Sequence, residues 1–349
     1  MDNCVQLLLN ILPSLKGSIL IVADENWRHV NWHSIKIPEQ SHIRVFSNRL
    51  DIAHEVGASG IECLFCDFDF SQLPEISLDH IIFRVSKEKA ITKHTINNAQ
   101  RLLKRGASLL LAGKKKDGIK TYVKFSQELL SSTSKVQKFG INYFSSIVSR
   151  GIIKNEAQTD NYSHMRKIMY KEGSLFFSKP GIFGWNKIDR GSKFLSDNLE
   201  TFFETYDFLP RTLLDLGCGY GYLACESRRF SFLNIFATDN NAAAIAACKL
   251  NFNHYGLNAA NVLATDAGQK IVGNFDVILC NPPIHAGFRV DSALILKFLN
   301  STQHLITKTG KALFVVDVCT PLELLAKNNF SRIHTLNKNN QFKLISLSH

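Results

Sequence analysis

The feature that most constrains this chain is the run Leu213-Leu214-Asp215-Leu216-Gly217-Cys218-Gly219-Tyr220-Gly221. Its apolar opening reads as a buried strand, and that strand delivers the backbone into three glycines at alternate positions. Glycine there lets the chain turn sharply and lets a ligand come close without a side chain in the way. A dinucleotide-binding turn would place a further glycine after two intervening residues, at position 222, where Tyr222 stands. The loop therefore points to a cradled small molecule and away from a dehydrogenase.

The surroundings fit a strand that is one of several. In the second half, apolar runs Thr212–Leu216, Asn234–Thr238, Asn261–Ala264, Phe275–Cys280 and Ala312–Val318 alternate with helical stretches. The clearest of those helices is Asn241–Asn253, preceded by Asp239 and Asn240. Strands alternating with helices predict an α/β class with parallel sheets covered by helices. The first half repeats the outline more weakly, at Ser18–Ala23, His42–Phe46, Ile61–Phe65, Asp79–Val85 and Ala107–Ala112. Pairing Val22 with Leu214, Asp79 with Asp276 and Gly106 with Gly310 gives nearly constant offsets of 192, 197 and 204 residues. An internal duplication is expected, with domains at 1–150 and 151–349 and a joining segment, Ser149–Gly191, rich in turn signals. A length of 349 residues suits two such domains.

Composition narrows the partners. The formal charge is +11, which suits a polyanion such as nucleic acid. No apolar stretch is long enough to span a bilayer, and no basic residue precedes the apolar run Val5–Leu12. The eight cysteines are scattered, mostly inside apolar runs, as reduced buried thiols of a cytoplasmic protein would be. Cys63 and Cys66 form one C-x-x-C without the companion ligands a structural zinc needs, so no metal is expected.

Two further acids end neighbouring strands. Asp239 follows Asp215 by 24 residues, where a carboxylate can accept ribose hydroxyls in doubly wound nucleotide sites. Asp266, in Thr265-Asp266-Ala267, can meet an adenine amine. The fourth strand ends in Asn281-Pro282-Pro283, which resembles the catalytic motif of methyltransferases acting on nitrogen in planar systems. An amine conjugated to a ring is a poor nucleophile because its lone pair is delocalised. A site that methylates it must hold it in line and stabilise positive charge growing on nitrogen. The Asn281 side-chain oxygen and the Pro282 carbonyl can do both, and Pro283 stiffens the turn that carries them. Alone, each acid reads equally well as a helix cap and Asn-Pro-Pro as a rigid turn; their joint spacing favours chemistry.

The acid followed by G-x-G-x-G resembles the first motif of class I S-adenosylmethionine (SAM) methyltransferases. Asn281-Pro282-Pro283-Ile284-His285, Pro180-Gly181-Ile182-Phe183 with Asp189-x-Gly191-Ser192, and Asn340-Gln341-Phe342-Lys343-Leu344 together resemble the bacterial ribosomal RNA guanine-N2 methyltransferases, most closely the small-subunit methyltransferase C group. That resemblance covers essentially the whole chain. It implies two tandem Rossmann-like class I methyltransferase domains, the first degenerate and serving structure or RNA binding. It further implies SAM as cofactor, held by Asp215, Gly217, Gly219, Gly221, Asp239, Asp266 and Asn281. The substrate would be the N2 amine of a guanine in 16S rRNA, naked or in the 30S subunit, and the enzyme a monomer. The first half fits the degenerate role: its first strand runs into Ala23-Asp24-Glu25-Asn26-Trp27 without a glycine loop, and its fourth ends Arg84-Val85-Ser86 without Asn-Pro-Pro.

The chain departs from the group where the base would lie. Ile284 stands in place of an aromatic residue that stacks on the extruded base, so Phe288, His285 or Phe183 would cover that face. Only Pro321 survives from the group's run after the fifth strand. A guanine paired inside a helix is out of reach, so the RNA must offer an unpaired or flipped base and be held through its phosphates. Between Arg84 and Lys138 there are 14 Lys or Arg against three acids, and Lys114-Lys115-Lys116 is the candidate RNA contact. Competing readings are a 23S rRNA guanine-N2 methyltransferase, a release-factor glutamine methyltransferase, and a non-catalytic SAM-binding assembly factor.

Overall fold

β-Branched and aromatic residues in short runs bounded by turn residues build two seven-stranded sheets in this chain. The computed structural model describes residues 1–152, 161–169, 174–230, 233–283, 285–286 and 289–349. The chain divides into two units, Met1–His164 and Met165–His349. That division falls fourteen residues beyond the 150/151 boundary read from the sequence.

In the first unit the strands are β1 (Gly17–Ala23), β2 (Ser41–Ser47), β3 (Glu62–Phe65), β4 (Leu78–Arg84), β5 (Leu103–Lys114), β6 (Gln137–Phe139) and β7 (Asn142–Val148), in the order β3-β2-β1-β4-β5-β7-β6. The first five run parallel, while β7 is antiparallel to β5 and β6 to β7. In the second unit an antiparallel pair, β8 (Arg166–Met169) and β9 (Leu175–Ser178), precedes the main sheet. That sheet contains β10 (Thr212–Leu216), β11 (Asn234–Asp239), β12 (Val262–Ala264) and β13 (Phe275–Cys280). After a small pair, β14 (His285–Ala286) with β15 (Arg289–Val290), it is completed by β16 (Ile306–Asp317), β17 (Arg332–Lys338) and β18 (Phe342–Ser348). Its order is β12-β11-β10-β13-β16-β18-β17, the order of the first sheet repeated. The fold is thus α/β with a duplicated sheet, as the offsets between the halves predicted.

Both faces of the central strands are covered, which is why β1 and β10 read as nearly continuous apolar runs. Leu213, Val277, Leu279 and Leu313 pack on one face of the second sheet, and Leu214, Ile278, Ala312 and Phe314 on the other. The helix Ala242–His254 is capped by Asn241, whose side chain accepts the Ala243 N–H, one residue along from the expected start. From β10 the chain winds outward through β11 and β12, then returns on the other side of β10 as β13. The carboxyl ends of β10 and β13 therefore border the switch point where doubly wound sheets bind ligands. The glycine loop follows one of those ends and Asn281-Pro282-Pro283 the other. Among the described residues, no helix is long and apolar enough to cross a membrane.

Candidate active site

The glycine loop is held by main-chain bonds that use up its outer donors. Gly217 and Cys218 both donate N–H to the Thr238 carbonyl, each at 2.9 Å. Gly221 sits at φ +86° and donates to the Cys218 carbonyl at 2.8 Å; an added Cβ there would lie 2.6 Å from Cys248 Sγ. Its lack of a side chain serves the packing of the loop onto the helix Ala242–His254. Gly219, at φ +55°, is different: the nearest atom to an added Cβ is Ile182 Cγ2 at 4.0 Å. Space above Gly219 is where a ligand can approach the backbone.

Asp215 is fully buried in β10. One carboxylate oxygen accepts the Ala224 N–H at 2.9 Å, and the other is buried without a partner among the described residues. Burial pushes this carboxyl up to about 7, with the nearby Asp239 charge adding to the effect. An unpaired buried acceptor costs about 1–3 kcal/mol, which a donor brought by a ligand would remove. Asp239, at the end of β11, accepts the Gly219 N–H at 2.9 Å through one oxygen and the Asn241 N–H at 2.8 Å through the other. Each oxygen keeps a second lone pair, so the carboxylate is fixed in place and still able to accept hydroxyls. Asp266 is half-buried and bonded to Lys297 of the helix Ser292–Leu305. That lysine is a partner no sequence spacing announced.

At the end of β13, Asn281 donates its side-chain N–H groups to Asp189 Oδ2 and to Ser192 Oγ, each at 2.8 Å. A carboxylate can only accept, so the nitrogen of the Asn281 amide faces Asp189 and the oxygen faces elsewhere. Asp189 Oδ2 also accepts the Ser192 N–H at 2.9 Å, capping the helix Arg190–Asp197. Gly191 lies in this corner; an added Cβ would meet Asp189 Oδ2 at 3.1 Å, Phe342 Cε1 at 3.4 Å and Asn281 Nδ2 at 3.6 Å. Two sequence motifs far apart in the chain thus meet at the Asn281 amide, and Phe342 of a third closes on Gly191 beside them. Pro282 is buried and Pro283 exposed. On the cofactor side, Gly181 accepts from Asn241 Nδ2 at 2.7 Å, and Tyr220 OH donates to Lys187 O at 3.4 Å.

Phe183 follows in the same segment and is 76% exposed. Ile284 and Phe288 lie outside the described residues, and of His285 the structure gives the backbone alone, paired with Val290. Lys114 ends β5 opposite Asn142, and Lys115 and Lys116 continue into a 3-10 turn closed by Asp117. Tyr143 is half-buried beside them, with Lys120 Nζ 5.3 Å from its ring centre, while Phe144 is core.

Comparison with known proteins now decides the family. Models of the methyltransferase small domain and of its N-terminal domain match residues 173–346 and 6–138. A ribosomal RNA small subunit methyltransferase C from Psychromonas ingrahamii is 30% identical, over 78% of this chain and 76% of its own length. The chain belongs to the ribosomal RNA small subunit methyltransferase C family. A relative of the same name from Shewanella amazonensis is 24% identical over 93% of this chain and 92% of its own. Among solved structures, the T. thermophilus 16S rRNA N2 G1207 methyltransferase in complex with AdoMet and guanosine aligns with TM-score 0.85. It is 21% identical and covers 99% of this chain and 92% of its own. The whole two-unit fold is therefore the fold of a methyltransferase C protein.

The first unit keeps that fold and fills the corresponding strand ends with side chains. Arg84, at the end of β4, is 2% exposed and pairs through Nη2 with Asp117 at 2.9 Å and Asp2 at 3.2 Å. Its Nη1 donates to the Val85 carbonyl. Asp24, after β1, is fully buried, and burial together with Glu25 pushes its carboxyl up to about 7. In this methyltransferase C chain, only the second unit carries the glycine loop and Asn-Pro-Pro.

Proposed function

We propose that this chain transfers the methyl group of SAM to the exocyclic N2 of a guanine in 16S rRNA. The observation that carries the reading is Asn281, held at the switch point with its amide nitrogen tied down and its oxygen left as the acceptor. In this reading the Asn281 Oδ1 and the Pro282 carbonyl accept the two amine N–H bonds, hold the nitrogen for attack and stabilise its growing positive charge. No strong base is needed, because the methylated amine is acidic until it loses a proton. SAM, when bound, supplies an electrophilic methyl on a sulfonium. The buried, unpartnered oxygen of Asp215, the open space over Gly219 and the fixed Asp239 carboxylate fit such a group. Asp266 would join them on the adenine side once Lys297 releases it.

Exposed Phe183, with Ile284, His285 and Phe288 beyond Asn-Pro-Pro, would form the walls around the base. Base-on-aromatic stacking contributes about 1–3 kcal/mol. Lys114, Lys115 and Lys116 would hold RNA phosphates, joined by Lys120 and by Lys138, which pairs in register with Tyr143. None of these five lysines has an ion-pair partner among the described residues.

The test is transfer of labelled methyl from SAM to unmodified 30S particles, 16S RNA, 50S particles and 23S RNA in parallel, followed by nucleoside analysis. N2-methylguanosine confined to the 16S material is the expected result. Label confined to 23S RNA would move the chain to the large subunit, and bound SAM with no label in any RNA would refute the reading.

A further inference from the structure

The guanine-N2 reading leaves open what sets the Asn281 amide the right way round. An asparagine side chain presents either its oxygen or its nitrogen at nearly the same place, and the two ends have opposite hydrogen-bonding character. Were the nitrogen to face the substrate, two donors would meet and the developing positive charge would be opposed. The amide must therefore be oriented by its surroundings.

We propose that Asp189 is the positioning residue for Asn281, assisted by Ser192. Asp189 lies 92 residues before Asn281 and accepts its Nδ2 at 2.8 Å; Ser192 accepts from the same nitrogen at 2.8 Å. Both Nδ2 hydrogens are engaged, and rotation of the amide would lose the bond to Asp189 and bring Oδ1 against a carboxylate. The serine hydroxyl could serve either orientation, because it donates as well as accepts. The carboxylate cannot, and so it is the selective partner. A second effect follows from its charge: an anion accepting from the nitrogen polarises the amide and makes Oδ1 a stronger acceptor for a nitrogen that is becoming positive. Gly191 permits this approach, since a side chain there would crowd both Asp189 Oδ2 and Asn281 Nδ2. The same segment touches the glycine loop through Lys187, whose carbonyl accepts from Tyr220 OH, and the cap residue Asn241 through the Gly181 carbonyl. One stretch of backbone therefore holds the acceptor amide and borders the glycine loop.

The competing explanation is that Asp189 is only a helix cap. Serine and asparagine cap about as well as aspartate, which allows the two roles to be separated. Asp189→Ser keeps a cap and loses the reach to Asn281. It should lower kcat by about 10- to 100-fold while leaving the melting temperature, the SAM Kd and the RNA KM nearly unchanged. Asp189→Asn keeps an oxygen in place without the charge and should restore most of that loss. In an Asn281→Ala background, Asp189→Ser should change the residual single-turnover rate little, because its route to the substrate is already gone. Wild-type kcat in Asp189→Ser, or an undiminished further loss in the Asn281→Ala background, would overturn the proposal.

A readout independent of turnover separates this proposal from the guanine-N2 reading on which it rests. In protein labelled with 15N-asparagine, the Asn281 side-chain amide, assigned by its absence in Asn281→Ala, should exchange its protons slowly in the wild type and fast in Asp189→Ser. Solvent-rate exchange in the wild type would refute the clamp even if RNA is methylated. Slow exchange lost in Asp189→Ser would support it even if another substrate replaces 16S rRNA.

Discussion

The two units share one sheet order, yet their switch points hold opposite things. In the second, the strand ends carry a glycine loop, a buried carboxylate oxygen without a partner, and an amide whose free end is an acceptor. In the first, the end of β4 carries Arg84, with Asp2 and Asp117 closing on it and Asp24 buried nearby. One site is organised to receive donors from outside, and the other answers its own charges internally. The contrast shows that a duplicated sheet does not depend on its ligand. The sheet keeps its order whether its strand ends are filled by ion-paired side chains or carry a glycine loop, because the core that holds it lies on its two faces.

This contrast can be broken at several points. The largest expected effect is in the first unit: Arg84→Ala strands Asp2, Asp24 and Asp117 without their cation. Breaking a buried pair by removing one partner costs about 3–5 kcal/mol, and urea denaturation should show a loss of that order. A loss below about 1 kcal/mol would mean that water already reaches the cluster. In the second unit, Asn281→Ala should lower kcat by about 10²–10³-fold, the range seen when one aligned charge-stabilising group is removed. Titration of SAM should show its Kd within about threefold of the wild type; ordinary turnover would remove Asn281 from the chemistry.

Smaller in effect is the triple reversal Lys114→Glu, Lys115→Glu and Lys116→Glu. If all three meet phosphates, binding to 16S RNA should weaken about tenfold or more, and the slope of log affinity against log salt should flatten by about 2. SAM binding should not change. An unaltered salt slope would take the RNA contact away from the first unit.

The smallest effects concern the two buried carboxyls, Asp24 and Asp215, each pushed up to about 7 by burial. Between the ordinary carboxylate range and about 7, the folded chain holds protons that the unfolded chain has released. Stability from these groups therefore falls as pH rises through that window and stays low above it. Asp24→Asn and Asp215→Asn should each raise the melting temperature by about 2–4 °C at pH 8, with the gain vanishing near pH 4. The two variants should part when SAM is added: Asp24→Asn should keep the full ligand-induced shift, and Asp215→Asn should lose much of it. Equal shifts would remove Asp215 from the cofactor site.

Much of this was legible in the sequence because it is local. Strands β10 and β13 are covered on both faces, so they had to be written as apolar runs, and their ends were readable within a residue. The edge strands β3 and β12 were readable too, but the opposite edges, β6 and β17, were not. Residues of β6 are exposed throughout, and β17 alternates without a clear apolar face, so neither carries a period strong enough to announce it. The pair β8 and β9 falls in a segment whose glycines and single proline, Pro180, read as linker. Gly221 reads with the ligand-cradling glycines because its spacing matches theirs; the approach of Cys248, which also demands a glycine there, is visible only in the fold. Asp189 and Ser192 were visible as a motif, but nothing in their spacing tied them to Asn281.

By itself, the sequence determined the α/β class, the duplication, the loss of both motifs from the first half, and the chemistry that Asn-Pro-Pro after an apolar strand can perform. Those follow from residues adjacent in the chain, where backbone conformation and side-chain type act over a few positions. The tertiary structure alone decided which distant side chains meet: Asp189 with Asn281, Lys297 with Asp266, Asp2 and Asp117 with Arg84. Such contacts are made by packing, and packing brings together groups whose separation along the chain carries no information about their distance in space.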